Sequence, residues 1–296
     1  MSRVLVVGDV AVDVVAVPAA PVRPGTDTAA TVRTSGGGAG ANVAVWLAKL
    51  GVPVTLCGRI GADPAGQAQR AELTAAGVVC ALATDPALPT GCIVVLVSPG
   101  GERTMLPDPG ANAALHPDDL PDPLPATHLH LSGYPLLRES SRPAALAALE
   151  RARTAGLTVS VDPASVGPLT AAGPDNFHAW ARGIDLLLPN LDEARLLSGE
   201  PDPLSAARTL ARRYEAVVVS LGPAGALWAS GRELELVPPA AAVAALDSTG
   251  AGDALAAGVL AAWLTGQTGP AAVAAGNRTA ATALTHLGAR PTPPRR

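Results

Sequence analysis

The stretch Asp247-Ser248-Thr249-Gly250-Ala251-Gly252-Asp253, followed directly by the apolar run Ala254 to Leu264, governs how the rest of the chain is read. Its simplest reading is a helix start, with Asp, Ser or Thr as an N-cap contributing about 1 kcal/mol. Capping accounts for one residue and leaves the two glycines unexplained. Gly250 and Gly252, on either side of Ala251, remove side chains where the free N–H groups of a helix N-terminus point outward. Such a turn suits an anion, a transferring phosphate above all. A permanent carboxylate at its edge would repel that phosphate unless its task is to take a proton from an attacking hydroxyl. The segment therefore predicts phosphoryl transfer with Asp253 as base, the amides of Gly250, Ala251 and Gly252 neutralising developing charge.

Working outward, the 296 residues are 48% hydrophobic and 16% charged, with a net charge of −4. A chain of this size buries roughly three quarters of its unfolded surface, which excludes disorder. The run Ala254 to Leu264 ends at Thr265, and no stretch of about 18 uninterrupted apolar residues predicts a membrane span. Met1 to Val7 lacks the build of a signal peptide, so a cytoplasmic protein is expected. Cys57, Cys80 and Cys92 are odd in number and set among apolar residues, as core thiols would be, and the five histidines show no metal-ligand spacing. The one lysine, Lys49, lies in Leu47-Ala48-Lys49-Leu50, which excludes a P-loop. With no basic stripe and only 2% aromatic residues, nucleic acid is not an expected partner.

Turn punctuation alternates strand-like and helix-like segments, the pattern of a doubly wound, mainly parallel α/β sheet. Strands are expected at Arg3 to Gly8, Val54 to Cys57, His128 to Leu131, Leu157 to Val161, Leu186 to Leu188 and Ala216 to Leu221. Helices are expected at Ala41 to Leu50, from Asp63-Pro64 to Gly77, and at Ser141 to Thr154. Two stretches break the rhythm, about 10–35 and 90–107. In the second, Gly91 to Val97 and Glu102 to Leu106 flank Ser98-Pro99-Gly100-Gly101, a β-hairpin pattern. The chain is thus expected to be one α/β domain over 1–296 carrying a small β-sheet lid.

The ordered set of motifs resembles the PfkB, or ribokinase-like, carbohydrate kinase family. Asp247 to Asp253 matches that family's C-terminal signature, and Gly36-Gly37-Gly38-Ala39-Gly40-Ala41-Asn42 resembles its N-terminal one. Pro189-Asn190-Leu191-Asp192-Glu193, Ser220 to Gly225 and Gly288-Ala289-Arg290-Pro291 extend the resemblance over nearly the whole chain. It implies a ribokinase-like fold, an acceptor that is a small sugar or nucleoside, ATP with Mg2+, and a lid that doubles as a homodimer interface. Asp13, Gly37, Gly38 and Asn42 would bind the acceptor, joined by Arg103 in the lid hairpin. The resemblance assigns Asn190 to ATP phosphates, Glu193 to the magnesium water shell, and Ser220, Gly222, Gly225 and Asn277 to the nucleotide. Potassium would lie between Asp247 and Thr249 on one loop and Ala283, Gly288 and Thr292 on another, where a carboxylate, carbonyls and a hydroxyl supply hard oxygen ligands. Ala39 and Ala11 stand where ribokinases carry a lysine and an asparagine, which leaves ketohexoses, 2-keto-3-deoxy sugar acids and nucleosides beside ribose.

Several of these residues also have plainer readings. Gly36-x-Gly38-x-x-Ala41 formally fits a dinucleotide fingerprint, which would make the chain an oxidoreductase. That fingerprint should follow the first buried strand, whereas Thr28 to Thr34 is polar and alternating. A catalytically idle sugar-binding regulator is a third reading. Asp13 could lie on a solvated strand face, Asn190-x-x-Glu193 is also a capping box, Asp247 could be a simple N-cap, and Ser220 to Gly225 could be a plain hairpin turn.

Overall fold

The computed structural model describes residues 4–98, 103–122, 124–240 and 246–291. Thr292, most of the lid hairpin's turn and the tail after Pro291 lie outside them.

Nine strands form one sheet in the order β13-β12-β11-β10-β9-β8-β1-β4-β5. They are β1 (Val4–Val7), β4 (Val54–Gly61), β5 (Val79–Asp85), β8 (His128–Ser132), β9 (Thr158–Asp162), β10 (Leu186–Leu187), β11 (Ala216–Ser220), β12 (Ala226–Ser230) and β13 (Glu233–Val237). All neighbours from β5 through β11 pair in parallel; β12 and β13 are added antiparallel. The strands expected from the punctuation are all present, although Leu186 to Leu188 shortens to two residues.

The strand β1 shows why the sheet is covered on both faces. Its residues are all apolar, and the pleat sends alternate side chains to opposite sides. Val4 and Val6 join a core with Trp46, Leu255 and Leu260, beneath the helices Ala39–Lys49 and Ala251–Trp263. Leu5 and Val7 join a second core with Leu131, Leu149 and Phe177 on the other face. His128 and His130 on β8 are fully buried; their ring nitrogens meet Thr158 and Ser160 hydroxyls, and burial pushes them down to about 4 and about 3. They are neutral core residues.

A separate four-stranded sheet has the order β3-β2-β6-β7, with β2 (Ala11–Pro18), β3 (Ala30–Gly37), β6 (Gly91–Val97) and β7 (Arg103–Asp108). Its strands come from the two stretches that break the sequence rhythm. The pairing of Cys92 with Asp108 through Val97 with Arg103 is the expected hairpin. Chain order reverses between β1 and β8: from β1 the chain runs one way to β4 and β5, and later the other way from β8 to β11. In open α/β sheets such a reversal opens a crevice at the carboxyl ends of the strands.

Candidate active site

The helix Ala251–Trp263 begins at the mouth of that crevice. Gly250 is its N-cap, at φ 73, and no side chain caps it. Asp247, Ser248 and Thr249 therefore do not act as the expected N-cap. Gly250 is a glycine for two reasons: its φ is left-handed, and a Cβ there would fall 2.7 Å from the Ala289 Cα. Gly252 differs, because a Cβ built on it meets nothing within 4 Å. The helix end is thus open, although the Ala251 amide is turned to the Ser248 carbonyl at 3.3 Å and so is less available than expected.

Asp253 stands in the first turn of this helix, where its Oδ2 accepts from Asn42 Nδ2 at 2.9 Å. Burial pushes its carboxyl well above the usual range; the Asn42 hydrogen bond opposes this, and the neighbouring Asp162, Asp9 and Asp13 charges add to it. All of them line one cavity of about 310 Å³ with Glu193, Gly38, Ser220, Gly250 and Gly252. Asp13 is 5% exposed and its Oδ1 has no hydrogen-bond partner. Burial raises it to about 6, against the lowering effect of Arg290. That oxygen lies on the side of Gly37, and Asp13 is one of the residues lining the cavity, so its carboxylate suits an acceptor hydroxyl.

Glu193 and Asp162 carry the same imbalance, both raised mainly by burial. Each raises the energy of ionising the site, and among the described residues no Lys, Arg or His lines this cavity. The excess of negative charge fits a divalent cation brought in with polyphosphate. Among the described residues no three His, Cys, Asp or Glu side chains converge to chelate an ion by themselves, so Glu193 and Asp162 suit its water shell. Glu193 also closes a capping box: its amide donates to Asn190 Oδ1 and its carboxylate accepts from the Asn190 amide, both at 2.9 Å. Capping and cavity roles coincide at this residue.

Other expected residues are placed differently. The guanidinium of Arg103 does not line the cavity; it bonds Asp247 Oδ1 at 2.5 Å and Ser248 Oγ at 2.7 Å, holding the lid strand to the signature loop. Asp247 also accepts from the Thr249 and Gly288 amides at 2.8 and 2.9 Å, which joins the two loops expected to share a cation. Asn277 is buried and donates to the Val237 and Pro238 carbonyls. Gly222 and Gly225 form a tight turn between β11 and β12, as the hairpin reading required, while Ser220 reaches the cavity. Ala283 ends the helix Pro270–Ala283.

Two residues of the crevice, Asp9 and Asp162, went unread in the sequence, and Arg290, quoted within the Gly288 to Pro291 motif, was given no role. Asp9 follows β1 and accepts from the Ala39 and Gly40 amides at 3.1 and 3.2 Å. Asp162 ends β9 and is held by the Ala164 amide at 2.7 Å, in a turn where Ala164 takes φ 75. Arg290 is buried behind Asn42. The available signal was positional: the carboxyl ends of parallel strands face the crevice.

The sequence pattern of the pfkB family carbohydrate kinases matches residues 1–296. A fructokinase of Klebsiella pneumoniae is 36% identical over 233 residues, 76% of each chain. An ATP-dependent ribose-1-phosphate kinase of Halopiger xanaduensis is 35% identical over 271 residues, 90% of this chain and 86% of that one. Aminoimidazole riboside kinase from Salmonella enterica, solved with aminoimidazole riboside and an ATP analog, superposes with a TM-score of 0.82 at 28% identity, covering 97% of this chain and 95% of that one. With the open helix end, Asp253 and the acid-lined crevice in place, the chain belongs to the PfkB family of carbohydrate kinases.

Proposed function

We propose that the protein transfers the γ-phosphoryl group of ATP to a hydroxyl of a small sugar or sugar-like acceptor, nucleosides included. The observation that carries this reading is the convergence on one cavity of Asp253, an uncapped helix N-terminus and the buried Asp13 carboxylate. Asp13 receives one acceptor hydroxyl and Asn42 orients the base. Asp253 takes the proton of the attacking hydroxyl as the O–P bond forms, and the helix end stabilises charge on the transferred group. Magnesium, held through water by Glu193 and Asp162, would neutralise phosphate charge.

A second cavity of about 550 Å³ shares Asp9, Ile93, Met105 and Tyr134 with the first and is also lined by Arg59 and Arg138. Arg59 is tied to Asp85 and Asp119. An acceptor bearing its own phosphate or carboxylate would meet cationic charge there, so ribose 1-phosphate and sugar acids belong in the assay. The test is ADP release from ATP and magnesium over a panel of sugars, sugar phosphates, sugar acids and nucleosides. ADP release that rises with one acceptor supports the proposal; none with any acceptor, together with NADH binding by fluorescence, would favour the oxidoreductase.

Two finer readings go with it. A monovalent cation, potassium among them, would have to be held by carbonyls of the two loops, because both Asp247 oxygens already accept from Arg103, Thr249 and Gly288 donors; rates higher in potassium than in a bulky organic cation at equal ionic strength would support it. On the side away from the cavity the lid exposes Val32 and Leu106, apolar residues that a second copy would cover, and light scattering should report a dimer. No helix among the described residues is long and apolar enough to cross a membrane, and a cytoplasmic site of action follows from the need for ATP.

A further inference from the structure

Arg290 has a side chain that is 6% exposed, and each of its three nitrogens donates inside the protein. Its Nε donates to Asn42 Oδ1 at 3.2 Å, Nη2 to the Gly37 carbonyl at 2.7 Å and Nη1 to Glu72 Oε1 at 2.8 Å. Gly36 makes room for it: a Cβ there would fall 2.0 Å from Nη1. On the far side of Asn42, Nδ2 donates to Asp253. We infer that Arg290 is a positioning residue for the base, acting on Asp253 through the Asn42 side chain.

The argument is one of donor and acceptor identity. An arginine can only donate and an ionised aspartate can only accept. Asn42 lies between them, so a single orientation of its amide satisfies both, with Oδ1 on Arg290 and Nδ2 on Asp253. Without Arg290 the amide is free to turn, and its oxygen could face the carboxylate. The guanidinium also polarises the amide, which strengthens the Nδ2–H···Oδ2 bond. This opposes what pushes the Asp253 carboxyl upward: burial and the charges of Asp162, Asp9 and Asp13, with the Tyr134 phenol on the same cavity. On its other sides Arg290 faces Glu72 and Asp13, and its carbonyl meets His286 Nε2. A clasp that only fastened the C-terminal loop to the helix Pro64–Ala75 would need Glu72 but not Asn42.

This inference rests on the kinase reading for its kinetic test, and a second measurement is independent of turnover. Arg290→Met should lower kcat by about 10²-fold, as a misplaced catalytic group does, and leave KM for ATP unchanged. The acidic limb of its pH–rate profile should move up by about one pH unit. Arg290→Lys should recover part of the loss, because it keeps the charge without the fork. Gly36→Ala keeps the charge and pushes the guanidinium aside, so it should shift the profile in the same direction by less; it carries the test if Arg290→Met does not fold. A carboxyl 13C titration of Asp253 in wild type and variants reads the same shift without substrate. A variant that melts earlier yet keeps kcat and its pH profile would overturn the inference, as would identical Asp253 titrations. An inactive wild type with shifted titrations would fault the kinase reading and leave Arg290's role standing.

Discussion

Two glycine-rich segments lead into helices that end at the same crevice, Gly36 to Gly40 before Ala39–Lys49 and Gly250 to Gly252 before Ala251–Trp263, and they are built to opposite purposes. In the first, the space left by missing side chains is filled by the protein itself. Arg290 lies over Gly36, the Asp13 carboxylate lies where a Gly37 Cβ would be, and Asp9 occupies the Ala39 and Gly40 amides. In the second, no side chain caps the helix and the space over Gly252 is open. Both helix ends carry positive partial charge. Only the second offers it to a ligand. A pyrophosphate at the first would meet the Asp9 carboxylate, which removes the physical basis for the dinucleotide reading of Gly36 to Ala41.

The largest way to test this contrast is to remove the base beside the open end. Asp253→Asn should leave ATP affinity nearly intact while kcat falls by about 10² to 10⁴. Retained turnover in a folded variant would take the base away from this residue. Gly252→Asp comes next, because it gives the second helix the blockage that Asp9 gives the first. A carboxylate in the first turn favours the helix by about 0.3–1 kcal/mol. The same charge faces the transferred phosphate at close range, where like charges cost a few kcal/mol, or about 10²-fold in rate. Stability and activity should therefore move apart, the melting point holding or rising while turnover drops. If both fall together, the open end is structural.

The contrast also shows what was legible in the sequence. The sheet could be read because buried parallel strands and their turns are local features, and the lid because it interrupts them. The place of Asp253 at a helix start beside the cavity could be read from the glycines around it, although one of them, Gly250, is itself the cap. The glycines at 36 and 37 invited a substrate instead of Arg290 and Asp13, since their occupants come from elsewhere in the chain. Asn42 meets Asp253 across 211 residues and Arg290 across 248, distances over which no spacing rule operates. Arg103 fails for the same reason: a lid arginine near a presumed sugar site is in fact bonded to a loop 144 residues away.

A smaller effect is expected within the first segment. If Gly37 is bare so that the Asp13 carboxylate can lie against it at the edge of the cavity, Asp13→Ala should raise KM for the acceptor by about 10- to 100-fold, the 1–3 kcal/mol of a lost buried hydrogen bond. KM for ATP should not change. Equal losses on both substrates would show that Asp13 supports the lid and not the acceptor.

The smallest effect concerns a third helix start, Leu191–Ser198, which is capped like the first yet faces the cavity like the second. Its capping residue Glu193 is 2% exposed and raised above the usual carboxylate range by burial and the nearby Asp162 charge. The native protein therefore binds a proton there that the unfolded chain, titrating near pH 4.3, has released. Stability must then fall as pH rises from about 4 through the raised native value, by at most about 1.4 kcal/mol per pH unit. Glu193→Gln keeps an oxygen for the Asn190 amide and removes the charge. Its denaturant midpoint should match wild type near pH 4 and exceed it at pH 8, and magnesium with ATP should narrow the gap by stabilising the wild type. Parallel pH curves for the two proteins would mean that the Glu193 charge is already compensated in the fold, and would remove the reason for placing magnesium's water shell beside it.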